Sequence, residues 1–176
     1  MQQAGCKGIN IGIETGDATL LAQTAKQGLT VDRIMQLTDY CKSIAIQLHF
    51  LLMVGLPGES RDALFETFKL VDMLQPESVG ITTVTPYPGT KLYDDAVQNG
   101  WIIRPDVNSF SGHGYNLQIG ELGPAELKFA RDHIRAVANL RERTPEEAFT
   151  LRQILYDEFR TWQAAMAPKP EKTWQK

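Results

Sequence analysis

Three runs of apolar and β-branched residues each end in a turn rich in glycine or proline, and a helical pattern follows each turn. The runs with their turns are GINIGIETG (8–16), HFLLMVGLPG (49–58) and ITTVTPYPG (81–89). Such alternation indicates βαβ units, in which the strands are parallel and the crossovers right-handed. The sequence therefore predicts an α/β fold with three parallel βα units.

The second run is apolar almost without interruption from Leu48 to Val54, which is typical of a strand buried on both faces. Its turn contains Gly55, Pro57 and Gly58. In parallel α/β folds, ligands bind at the carboxyl ends of the strands. We expect the two glycines to leave backbone amides bare for a ligand there, with the proline stiffening the turn.

Outside the strands, helical patterns and one long irregular segment account for most of the chain. TLLAQTAKQG (19–28) predicts a short helix that ends at Gly28, and residues 104–123 predict a loop across one face. Two helices close the chain. Apolar spacing predicts that the last one buries Phe149, Ile154, Leu155, Phe159 and Trp162. Both outer edges of a three-stranded sheet would be open unless something covers them.

Composition excludes several classes of function. The net charge is −3, which does not indicate nucleic-acid binding. No apolar run reaches the roughly 18 residues that span a membrane, and the amino terminus does not have a signal-peptide pattern. Cys6 and Cys41 lie far apart without a CxxC motif, so we interpret them as reduced thiols and expect a cytoplasmic location.

Three segments in this order resemble one enzyme family. AGCKGINIGIETGD (4–17), HFLLMVGLPGES (49–60) and ITTVTPYPGTKLYDDA (81–96) resemble the second half of the core barrel of radical S-adenosylmethionine enzymes. The similarity is greatest to the subgroup with an amino-terminal cobalamin-binding domain. It implies half of a partial (β/α)6 TIM-like barrel over residues 1–103. A covering loop (104–123), a helical extension (124–167) and a disordered tail (168–176) would follow.

The same resemblance implies cofactors and a partner. In this family a CxxxCxxC loop in the first βα unit holds a [4Fe–4S] cluster, and this chain has no such motif. Its strands match the fourth to sixth of the family barrel. The amino-terminal half with the cluster loop, and any cobalamin domain, would lie in the same or another chain. This chain would then be inactive alone, and the assembled enzyme would act on a small-molecule substrate.

Residue roles follow from the matching positions. The residues implied in binding S-adenosylmethionine are Glu14, Thr15, Met53, Gly55, Gly58, Thr85, Pro86 and Tyr87. Glu14 would accept hydrogen bonds from the ribose hydroxyls, although a carboxylate there could equally face a helix amino terminus. Thr15 could assist or be only a cap. We interpret Glu59 as a helix-start carboxylate without a ligand role.

Two histidines are candidates for facing substrate. His49 lies within the second strand and could point into the barrel or be a core histidine with satisfied hydrogen bonds. His113 lies in the 104–123 loop, where a surface position is the alternative.

The function implied by the resemblance is a share in the reductive cleavage of S-adenosylmethionine to a 5′-deoxyadenosyl radical, with cobalamin-dependent methyl transfer as one outcome. The alternative is a noncatalytic half-barrel that binds a nucleotide or a protein. A small phosphate-binding enzyme is disfavoured because no Walker lysine and no GxGxxG motif follow a strand.

Overall fold

Three parallel strands form one sheet in the order β1-β2-β3. The computed structural model describes residues 2–24, 28–106, 108 and 110–165. The strands are β1 (Gly8–Glu14), β2 (Gln47–Val54) and β3 (Ser78–Thr83). The helices are α1 (Ala18–Gln23), α2 (Val31–Ser43), α3 (Arg61–Leu74), α4 (Lys91–Gln98), α5 (Pro124–Ala138) and α6 (Pro145–Ala164). The predicted α/β fold with three parallel strands is confirmed.

Local sequence determines where the helices begin. The hydroxyls of Thr30, Ser60 and Thr90 each accept a hydrogen bond from the backbone three residues later, as N-cap residues do. The predicted end of the first helix at Gly28 is wrong, since α1 ends at Gln23. Residues 25–27, which the prediction included, lie outside the described part.

The two faces of the sheet differ. In β2 the side chains of Leu48, Phe50, Leu52 and Val54 are buried beneath the helices. On the opposite face Leu51 is 44% exposed, and it lies between Gly12 of β1 and Gly80 of β3. The predicted burial of β2 on both faces is therefore wrong, because the glycines beside Leu51 add no side chains that could shield it.

The 104–123 segment covers part of one edge of the sheet. The backbone amide of Thr83, at the end of β3, donates to the carbonyl of Gly112 (2.8 Å). The hydroxyl of Thr85 donates to the carbonyl of Ser111 (3.0 Å), and Phe110 is buried. Within the described residues, β1 pairs with β2 alone. The carboxyl end of β3 is therefore covered, whereas the open edge expected at β1 stays a prediction.

The carboxyl-terminal helices share the core of the sheet. Phe159 of α6 is fully buried, and its ring lies 4.8 Å from that of Phe68 of α3, between centroids. Phe149 and Ile154 are 60% and 48% exposed, so their predicted burial is wrong. The face of α6 toward the core contains the buried Phe159 and half-buried residues at 148, 152, 155 and 162. At about 100° per residue, Phe149 and Ile154 lie about 100° and about 120° from the centre of that face.

The described residues do not test the predicted boundaries at 103, 123 and 167, which stay predictions. The tail at 168–176 lies outside the described part. No helix within the described ranges is long and apolar enough to cross a membrane.

Candidate functional site

The turns that follow the three strands lie side by side at one edge of the sheet. Glu14 is paired with Leu52 of β2, and Thr83 of β3 is paired with Val54. The pairing continues past β3, where the amide of Val84 donates to the carbonyl of Val54 (2.9 Å). Glu14, Gly55 and Thr85 therefore occupy neighbouring positions at the carboxyl ends of adjacent strands, where parallel α/β folds bind ligands.

The backbone at Glu14 is strained. The register shifts between Gly12 and Glu14, so that Ile13 has no partner in β2. The amide of Thr15 then donates to the carbonyl of Ile13 (2.7 Å), which closes a three-residue turn around Glu14. Glu14 has a φ of 60°, in the left-handed region that side chains other than glycine rarely adopt. Strain of this kind is concentrated at functional sites.

This strain predicts an unusual order of stability for two variants. We expect Glu14→Gly to be more stable than Glu14→Ala by about 1 kcal/mol, because only glycine adopts a positive φ without cost. Urea denaturation of both variants measures the difference. Asn10, an exposed residue of the regular part of β1, is the matched control, where alanine should be better than glycine. Equal stability of the two Glu14 variants would contradict the turn geometry.

Thr15 and Gly16 attach the end of β1 to α3. Thr15 is fully buried, and its hydroxyl oxygen lies 3.2 Å from that of Thr67. The amide of Gly16 donates to the same Thr67 oxygen (2.8 Å). The hydroxyl of Thr15 thus lies between the strand and the helix, and its proposed assistance to a ligand stays a prediction.

The turn after β2 depends on two glycines and one carboxylate. Gly55 and Gly58 have φ values of 88° and 82°. The Oε2 atom of Glu59 accepts hydrogen bonds from the amides of Gly55 (2.6 Å) and Leu56 (3.3 Å). The expectation of a bare amide at Gly55 is therefore wrong, because a side chain of the same turn occupies it.

Glu59 itself is the residue whose environment the sequence did not reveal. It is only 6% exposed, and its Oε1 atom is buried without a hydrogen-bond partner. Burial raises the pKa of Glu59 to about 7, against the two amide hydrogen bonds, and the charge of Asp17 acts in the same direction as burial. Glu59 directly precedes Ser60, which caps α3, and its carboxyl group binds the turn before it and not the helix. Its lack of a ligand role stays a prediction. The spacing from Gly55 to Glu59 allows the carboxyl group to close the turn, but it does not indicate that Glu59 is buried.

The remaining predicted ligand residues lie at or near the same edge. Thr85 is 9% exposed and Pro86 is buried, whereas Tyr87 is 50% exposed. Met53 is half-buried and belongs to the open face of the sheet. Assignment of these residues, and of Gly58, to a cofactor stays a prediction.

Of the two histidines, His49 is remote from this edge, whereas His113 follows Gly112, whose carbonyl accepts a hydrogen bond from Thr83 at the end of β3. His49 lies five residues before the end of β2, about 16 Å away along the strand. Its Nδ1 atom is 2.8 Å from the hydroxyl oxygen of Ser78. His113 is exposed in the segment beside β3. A substrate-facing role for either stays a prediction.

The described residues do not form a metal site. Among them, no three His, Cys, Asp or Glu side chains are grouped so that they could hold a metal ion. Cys41 is buried and Cys6 is partly exposed, and neither forms a disulfide. A [4Fe–4S] cluster, which proteins hold mainly through several cysteine thiolates, therefore does not fit these residues.

Comparison with known proteins gives distant similarity to methyl-transferring enzymes. The chain is 27% identical to an uncharacterized methyltransferase of Pyrococcus horikoshii over 111 residues (63% of this chain, 24% of that protein). It is 33% identical to a tRNA-2-methylthio-N(6)-dimethylallyladenosine synthase of Herpetosiphon aurantiacus over 88 residues (49% and 20%). A probable threonylcarbamoyladenosine tRNA methylthiotransferase of P. horikoshii is 24% identical over 100 residues (56% and 23%).

No protein-family model matches the chain. The chain spans between a fifth and a quarter of the length of these three curated relatives. Over part of its length, it is therefore similar to methyltransferases and tRNA methylthiotransferases.

Proposed function

We propose that this chain is the second half of the partial (β/α)6 barrel of a radical S-adenosylmethionine enzyme and forms the adenosine-binding wall. The observation that carries the proposal is the alignment of three strand-end turns at one edge of a parallel sheet, with a strained glutamate in the first of them. The similarity to methyltransferases and methylthiotransferases supports it.

The residues of this edge would share the binding of adenosine. The half-buried carboxylate of Glu14 can accept hydrogen bonds from both ribose hydroxyls, and its strained turn fixes where it points. The half-buried side chain of Met53 and the turn at Thr85, Pro86 and Tyr87 would pack near the adenine. Gly55 contributes its backbone shape and not a donor, because Glu59 occupies its amide.

The remaining parts would come from outside this chain. The proposed partner is the amino-terminal half of the barrel with the cluster loop, and its last strand would add beside β1, which among the described strands pairs with β2. In such enzymes the [4Fe–4S] cluster supplies the electron that cleaves S-adenosylmethionine. The described residues cannot hold that cluster, so this chain alone would be inactive. Any cobalamin domain and the small-molecule substrate site would involve the partner as well.

The test is the affinity of the complete, cluster-loaded enzyme for S-adenosylmethionine. We expect Glu14→Ala to weaken binding about 10- to 100-fold, since a hydrogen bond to a charged group contributes about 1.5–3 kcal/mol. Glu66→Ala is the matched control, because Glu66 is an exposed residue of α3 whose carboxylate pairs with Lys69. Calorimetry measures both. Equal affinities in the two variants would overturn the proposal and favour a noncatalytic binding module.

A further inference from the structure

The carboxyl group of Glu59 is held in an environment that opposes a negative charge. One oxygen, Oε2, takes both amide hydrogen bonds of the turn, from Gly55 and Leu56. The other oxygen, Oε1, is buried and has no partner among the described residues. A buried charge with an unsatisfied oxygen is more costly than a neutral carboxyl group in the same place, because the two amide hydrogen bonds replace only part of the hydration that the charge loses.

The charged groups near Glu59 do not offset this cost. Asp17, which follows β1, is the neighbouring charge that acts on Glu59, and it is negative. Arg61 begins α3 two residues later, but its Nη1 atom donates to the carbonyls of Trp162 and Ala165 at the end of α6. The Nε atom of Arg61 lies 3.4 Å from the Oε2 atom of Glu121. Among the described residues, no Lys, Arg or His side chain forms an ion pair with Glu59.

We propose that Glu59 is a positioning residue which holds the turn 55–58 at the carboxyl end of β2 in its protonated form, and that loss of this proton loosens the turn. The neutral carboxyl group still accepts both amide hydrogen bonds through Oε2, whereas the charged form must draw water to Oε1 and open the packing. If the proposed function is right, the adenosine-binding edge then depends on pH near neutrality. That dependence of the adenosine-binding edge on pH rests on the proposed function. The hold of protonated Glu59 on the turn 55–58, called the clamp below, does not.

Nuclear magnetic resonance of the 176-residue chain tests the clamp without any ligand. Between pH 5 and 9, we expect the amide signals of Gly55 and Leu56 to titrate together with the side-chain carboxyl carbon of Glu59, with a midpoint near pH 7. We expect the protection factor of the Gly55 amide against hydrogen exchange to fall at least tenfold from pH 6 to pH 8. In Glu59→Gln the titration and the loss of protection should both be absent. The glutamine side chain keeps an acceptor oxygen but cannot ionise. Glu66→Gln should titrate as the wild type does.

Chemical denaturation gives a second readout. The folded chain keeps the Glu59 proton up to about pH 7, whereas the unfolded chain releases it near 4.5, the ordinary value. The folded state therefore binds more protons between these values, and its stability falls as the pH rises through them. We expect the urea midpoint to fall from pH 5 to pH 7.5 by more in the wild type than in Glu59→Gln.

Three results would overturn the clamp. One is a Glu59 carboxyl midpoint below pH 5, which wild-type protein alone can show even if the glutamine variant does not fold. The others are a titration that stays in Glu59→Gln, and Gly55 and Leu56 amides that do not respond when Glu59 ionises. None of these results depends on S-adenosylmethionine, so the clamp and the proposed function can fail separately.

Discussion

Replacing Phe159 by alanine should remove a large part of the stability of the chain. Phe159 is fully buried, and its ring lies 5.3 Å from that of Phe65 and 4.8 Å from that of Phe68. Truncation of a buried phenylalanine leaves a cavity and costs about 3–5 kcal/mol. Since small domains are stable by about 5–15 kcal/mol, urea denaturation should show a large shift of the midpoint.

Helix α6 also contains a matched control residue for Phe159→Ala. Phe149 is 60% exposed on α6, so Phe149→Ala should change the free energy of unfolding by no more than about 0.5 kcal/mol. The two variants together test whether α6 is part of the core of the sheet or is dispensable for folding. If α6 is integral to the core of the sheet, only Phe159→Ala is costly. Similar small effects of both variants would show that the sheet folds without α6.

Gly16→Ala should be the most damaging change at the candidate site. A Cβ atom at this position would lie 2.6 Å from the Cα atom of Thr67 and 2.9 Å from the carbonyl oxygen of Glu66. Both are backbone atoms of α3, so relief requires the helix to move away from the end of β1. We expect a loss of about 3 kcal/mol, at the upper end of the cost of overpacking, measured by denaturation.

Gly89 separates this steric effect from the general cost of replacing a glycine. It has a φ of 85°, and a Cβ atom there would meet nothing within 4 Å. Gly89→Ala should therefore cost only about 1 kcal/mol, from backbone strain. A Gly16→Ala cost no greater than that of Gly89→Ala would mean that β1 and α3 are not in the close contact described.

Sequence periodicity was sufficient for the strands and their turns. The β-branched runs and the glycines and prolines after them are local signals, and they correctly predicted three parallel strands with turns such as that at Gly55. The predictions of burial that were wrong depend on the packing of segments that lie far apart in the sequence. The exposure of Leu51 follows from glycines in two other strands, and the phase of α6 determines that Phe159 is buried and Phe149 is not.

Glu59 shows the same limit at the candidate site. A glutamate just before a helix is usually solvated. No feature of the segment GLPGES (55–60) indicates that Glu59 is buried by neighbouring elements. The strain at Glu14 was also invisible, since it arises from a register shift between β1 and β2. The sequence pattern could identify the carboxyl-terminal edge of the sheet as the candidate site. It could not predict the protonation or the backbone conformation of the residues at that edge.

The partly covered flank of the sheet also limits how copies of this chain can associate. The carbonyls of Ser111 and Gly112 already accept hydrogen bonds from Thr85 and Thr83 at the carboxyl end of β3. A strand from another copy that added beside β3 could therefore not continue its ladder as far as Thr83.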